Sequence, residues 1–138
     1  MGMRRMRRRQ TLWIVLLILY AAGIFVLSSL PIGAPGPLRG VVGIDKVIHA
    51  LEYALFLTLA WLATGRRMTL SLGLTILFAG SDELHQAFVP SRTATWLDFV
   101  ADTAGAAAAA VFLMTLTDGL LASIGRRILG KAPMEKEK

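Results

Sequence analysis

Nineteen consecutive residues, Leu12 to Leu30, carry no charge. At about 1.5 Å of rise per residue such a run crosses a hydrocarbon layer of roughly 30 Å as a helix. A cleaved signal peptide is the competing reading, because Arg4, Arg5, Arg7, Arg8 and Arg9 form a basic segment ahead of it. The apolar run exceeds the roughly 7–15 residues of a signal peptide's apolar region, so a retained membrane span is expected. Composition agrees: of 138 residues, 55% are hydrophobic and only 17% charged, too apolar a balance for a soluble domain.

Pro31, Pro35, Pro37 and four glycines up to Gly43 break the first helix and make a loop. A second apolar helix follows over about 46–63, Gly65-Arg66-Arg67 makes a tight turn, and a third helix runs over about 68–88 to Pro90. The fourth covers about 97–121 and is rich in alanine from Ala104 to Ala110, which with Gly105 permits close helix packing. The expected fold is all-α: one transmembrane domain over residues 1–138, an integral membrane four-helix bundle in which any chemistry sits among the helices.

Orientation follows from the basic residues. Twelve of the fifteen lie at the N-terminus, in the Arg66-Arg67 turn or after the fourth span, and only Arg39, Lys46 and Arg92 lie on the other side. The positive-inside rule then places both termini in the cytoplasm. Asp45, Glu52, Asp82, Glu83, Asp98 and Asp102, with His49 and His85, gather towards the outer face of a multi-pass protein of the cytoplasmic membrane.

Ionisable side chains inside spans are expensive and mark function more often than not. At about 100° per residue, Asp45, His49 and Glu52 share one face of the second helix, with Tyr53 at its edge. On the third helix Asp82, His85 and Gln86 share a face, and Glu83 points roughly a quarter-turn away. Asp98, Asp102 and Gly105 repeat the pattern on the fourth. Turned inward, these stripes make a polar pocket; the first helix, which has none, anchors and packs.

The bland alternative is an internal salt-bridge network in which Lys46 and Arg92 neutralise carboxylates. Six acids against three bases pair unevenly for that, and the surplus suits a metal, a shifted proton equilibrium or a cationic group. His49, Glu52, Asp82, His85 and Asp102 are all acceptable metal ligands, but there is no His-Glu-x-x-His and no strong ligand spacing. His49 or Glu83 could serve as general acid or base, yet no nucleophile is evident beyond Ser81 and Ser91. Arg92, Arg39 and Lys46 suit a phosphate or carboxylate, with Arg capable of bidentate contact. The absence of cysteine excludes disulfides and thiolate chemistry. The net charge of +6 comes from residues flanking apolar segments, with no basic, aromatic-interleaved surface, so no nucleic-acid partner is expected.

Asp45-Lys46-x-x-His49-x-x-x-Tyr53, then Asp82-Glu83-x-x-Gln86-x-Phe88-x-Pro90-x-Arg92, then Asp98 and Gly105, resemble the VanZ-like family in motif order and context. The pattern departs from the family's at Asp102, where Asn is frequent, and at Ala109, where a further Gly is. The resemblance implies a membrane protein of the cell envelope associated with resistance to teicoplanin, a lipoglycopeptide that acts on lipid-linked wall precursors outside the membrane. It names no cofactor and leaves open whether the chain is an enzyme.

The expected function is engagement, from the outer leaflet, of an anionic lipid-linked envelope precursor or a lipophilic glycopeptide, alongside membrane lipids. The pocket would comprise Asp45, Lys46, His49, Glu52, Tyr53, Asp82, Glu83, Gln86, Arg92, Asp98 and Asp102. A membrane enzyme acting on a lipid headgroup by acid-base or metal chemistry is the main rival. A proton-coupled lipid transporter is a third reading, without an apparent inverted repeat to support it.

Overall fold

The structure is a computed structural model that describes residues 2–30, 43–90 and 95–129, with side chains described over 8–30, 43–90 and 95–124. Four helices follow one another: α1 Gly2–Ser28, α2 Ile44–Ala63, α3 Met68–Gln86 and α4 Trp96–Leu129. Arg39 and Arg92 lie outside the described residues. The helix α1 begins well before the apolar run, because arginine is a good helix former and continues the helix through the basic segment. The helix α4 likewise runs past the expected end near residue 121.

α2 is the centre of the bundle, lying against α4 most extensively and against α1 and α3 as well. One third of its apolar window (33%) is buried, against 11% for α1 and 6% for α4, so the outer helices turn apolar surface outward. Leu19, Leu77, Val111 and Leu121 are each more than 60% exposed. Soluble monomers rarely show so continuous an apolar surface, and hydrocarbon is the solvent that suits it.

Arg8–Ser28, Ile44–Ala63 and Trp96–Ile124 are each long and apolar enough to cross a membrane. The helix α3 falls short of the same mean hydropathy because Asp82, Glu83, His85 and Gln86 crowd its last turns. Its outward surface is still apolar, with Leu70, Leu74, Ile76, Leu77 and Leu84 exposed.

The interior is a short aromatic stack between α1, α2 and α3. Phe56 lies 4.6 Å from Phe78, ring to ring, and 5.9 Å from Tyr53. Ile24, Ala60 and Ala79 close around it. Nearer the other end, Leu57 packs on Ala106 and Ala110 of α4.

The α2–α3 turn forms as its sequence suggests. Gly65 and Arg66 both take positive φ (69° and 70°), which glycine adopts freely and arginine does not. The Arg66 N–H donates to the Trp61 carbonyl at 2.7 Å and the Gly65 N–H to that of Leu62 at 3.4 Å, capping the helix's last carbonyls. The Arg66 guanidinium sits 5.1 Å from the centre of the Trp61 ring, a cation–π contact that offsets part of the strain.

Candidate functional site

The hairpin order brings the C-terminal ends of α1 and α3 beside the N-terminal ends of α2 and α4, and the polar residues concentrate at this end. α2 and α4 each carry an aspartate in the first turn, Asp45 and Asp98, where unpaired backbone N–H groups and the helix dipole favour negative charge. Lys46 ties the two helices together: its ammonium donates to Asp45 Oδ2 at 2.8 Å and to Asp98 Oδ1. Thr95, just ahead of α4, donates its hydroxyl to Asp98 Oδ2 at 2.8 Å. Both oxygens of this buried carboxylate are therefore engaged, as burial of a charge requires. Asp45 stays at the rim, its side chain 56% exposed.

One turn further in, His49 Nδ1 lies 3.0 Å from Asp102 Oδ1 and His49 Nε2 lies 3.9 Å from Asp98 Oδ1. Asp102 is almost completely buried, at 1% exposure, so its pairing with the imidazole is a water-excluded one. This approach of α2 to α4 depends on Gly105, three residues after Asp102. A Cβ there would fall 1.9 Å from the Ala50 carbonyl oxygen, so no other residue lets the helices come so close.

α3 contributes along two lines. Ser71, Thr75, Ala79, Asp82 and Gln86 form its buried stripe, and Gln86 Nε2 donates to Asp82 Oδ2 at 2.9 Å and to Ser28 Oγ of α1 at 3.4 Å. Gly80 faces Phe99 of α4, and Glu83, three residues on, follows the same line. One ligand-capable atom from each of His49, Glu83 and Asp102 lies within 4.8 Å of the others.

Glu83, expected in the pocket though a quarter-turn from the Asp82 face, lies in the cluster with His49 and Asp102, because α3 is wedged against both α2 and α4 and has a wide inner arc. His85, expected on the inner face, turns to α1 instead. Its ring stacks on Phe25 at 4.0 Å and its Nε2 lies 2.9 Å from Ser29 Oγ. Of the metal-ligand candidates named from sequence, only His49 and Asp102 belong to the group of three.

α1 is more than an anchor. Besides Ser28 and Ser29, its Tyr20 hydroxyl donates to the Glu52 carbonyl at 3.1 Å. The only sequence signal was the polar Ser28-Ser29 pair closing an apolar run; Thr95, three residues before Asp98, has the spacing of a helix cap. Glu52 is half-buried, and Tyr53 is wholly buried below His49 on the same face of α2.

Four sealed polar atoms have no hydrogen-bond partner among the described residues: Tyr53 Oη, Asp82 Oδ1, Glu83 Oε1 and Asp102 Oδ2. Each such atom costs about 1–3 kcal/mol, so their grouping at one end is an unusual concentration of unmet polarity. Among the described residues Lys46 is the only Lys or Arg at this end, against six carboxylates.

No curated protein and no solved structure matches the chain. The model of the VanZ/LLP1 family matches residues 8–117, from the last arginines of α1 through most of α4 and including every residue of the cluster. The sequence resemblance is thereby borne out, and this four-helix membrane protein belongs to the VanZ/LLP1 family.

Proposed function

We propose that the polar end of the bundle is a ligand pocket on the extracytoplasmic side of the cytoplasmic membrane. There it engages the anionic part of a lipid-linked envelope precursor or of a lipophilic glycopeptide, and so contributes to teicoplanin resistance. The observation that carries this reading is the convergence of Lys46, His49, Glu83, Asp98 and Asp102 from three helices at one end of an otherwise apolar bundle. Intramembrane polar groups arranged in this way are retained for what they bind. Lys46 lies at this end, and Arg39 and Arg92 fall in the loops that the positive-inside reading assigns to the same side. In a susceptible host, the wild type should raise the inhibitory concentration of teicoplanin and an equally expressed Lys46→Met protein should not. No rise with the wild type overturns the resistance part of the proposal.

A second reading is favoured by one specific geometry. A buried aspartate oriented on an imidazole, with a carboxylic side chain opposite, is the arrangement a general acid-base pair takes. On that reading the protein is a membrane enzyme acting on a lipid headgroup. Turnover of envelope lipids by purified protein, lost in His49→Gln, distinguishes it from binding alone.

A further inference from the structure

We propose that His49, Glu83 and Asp102 form a binding site for one divalent metal ion of the zinc or manganese class, with a coordination position left open for a ligand oxygen. The three side chains come from three different helices, yet one ligand-capable atom of each lies within 4.8 Å of the others. Ligands held at about 2.0–2.3 Å from a common tetrahedral ion sit about 3.3–3.8 Å apart, so side-chain adjustment of up to about 1 Å brings the three onto one ion.

A second observation points the same way. Asp102, 1% exposed, uses Oδ1 for His49 and leaves Oδ2 sealed and without a partner among the described residues. Glu83 Oε1 is in the same condition. Asp102 Oδ2 is thereby left to a cation, and the His49 nitrogen that now faces Asp102 Oδ1 supplies a neighbouring ligand atom once it releases its proton. One imidazole with two carboxylates favours zinc or manganese over calcium and magnesium, which prefer all-oxygen shells.

Charge gives the site a purpose. Among the described residues, six carboxylates and one lysine, itself held by Asp45 and Asp98, make a poor direct receptor for a phosphate or carboxylate. An ion of charge +2 between Glu83 and Asp102 neutralises that pair and offers a Lewis-acidic position to an incoming anionic oxygen. The metal site stands on its own geometry, whereas its role in holding an anionic headgroup rests on the reading of the pocket given above.

The test uses full-length protein in detergent micelles, with any purification tag removed, stripped by chelator and titrated with Zn²⁺ and separately with Mn²⁺. The expected result is one ion per chain and a rise in melting temperature that chelator reverses. Glu83→Gln and Asp102→Asn should each weaken binding at least about tenfold, and Asp118→Asn, on the exposed surface of α4, should leave it unchanged. The chain has only two histidines. Cobalt(II) in the wild type should therefore shift one imidazole set in the proton spectrum, and this set should persist in His85→Gln. That readout locates the site even if a carboxylate variant fails to fold.

Absence of stoichiometric binding of either ion by the wild type overturns the proposal. So does undiminished affinity in folded Glu83→Gln and Asp102→Asn proteins, or a shifted imidazole that belongs to His85. Native mass spectrometry of the same samples separates the two readings. Lipid retained by protein that binds no metal removes the metal site and leaves the pocket; metal bound with no lipid retained does the reverse.

Discussion

The backbone of Gly105 lies so close to Ala50 that a Cβ added to it would stand 1.9 Å from the Ala50 carbonyl oxygen. Because the obstacle is backbone, it cannot move aside like a side chain. Gly105→Ala is therefore expected to force α4 away from α2 and lower stability by about 1–3 kcal/mol or more, read as a fall in melting temperature in detergent. Gly119→Ala on the same helix meets nothing within 4 Å and should leave the melting temperature unchanged or slightly raised. Equal behaviour of the two variants contradicts the packing.

Lys46 holds Asp45 and Asp98 across the N-termini of α2 and α4. Lys46→Met leaves the buried Asp98 with Thr95 as its remaining close partner and should destabilise by about 1.5–3 kcal/mol. Adding Asp98→Asn removes the orphaned charge, so the double variant should recover much of that loss in a double-mutant cycle. Strictly additive losses contradict a direct ion pair.

Orientation is tested with reporter fusions. A cytoplasmic-type reporter should be active at 65–68, and a periplasmic-type reporter should be active at 89–95, as the twelve-to-three split of basic residues predicts. The reverse pattern inverts the location of the whole site.

Much of the bundle was legible because its signals are local. The charge-free run of α1, the Gly65-Arg66-Arg67 turn and the alanine-rich α4 each follow from residue chemistry within a few positions. Asp45, His49, Asp98 and Asp102 were legible as stripes because helical periodicity sets which residues share a face. The partner a stripe meets was not. Glu83 joins His49 and Asp102, and His85 turns to Phe25, because α3 is rotated between three neighbours, a tertiary fact that no periodicity within α3 contains. The part played by Ser28 and Ser29 was hidden for the same reason, since serines at the end of an apolar helix are common.

Arg92, just after Pro90, and Arg39, in the glycine- and proline-rich loop, should respond unequally to loss of the guanidinium fork. Arg92→Lys keeps the charge but loses bidentate contact and should reduce lipid retention with little change in melting temperature. Arg39→Lys should be almost silent in both. Unchanged retention with a collapsed melting temperature in Arg92→Lys would make that residue a structural ion-pair partner instead.

The central claim is that the polar end of the bundle binds an anionic, lipid-borne ligand. Native mass spectrometry of protein extracted gently from membranes tests it most directly, with the bound species identified by fragmentation. The account predicts a retained lipid carrying phosphate or carboxylate on the wild type and on Gly119→Ala. It predicts at least about tenfold less on Lys46→Met and Arg92→Met samples confirmed as folded, since each removes a cation that the anionic group would meet. Wild-type protein that retains no such lipid, or retention that is the same in all four proteins, contradicts it.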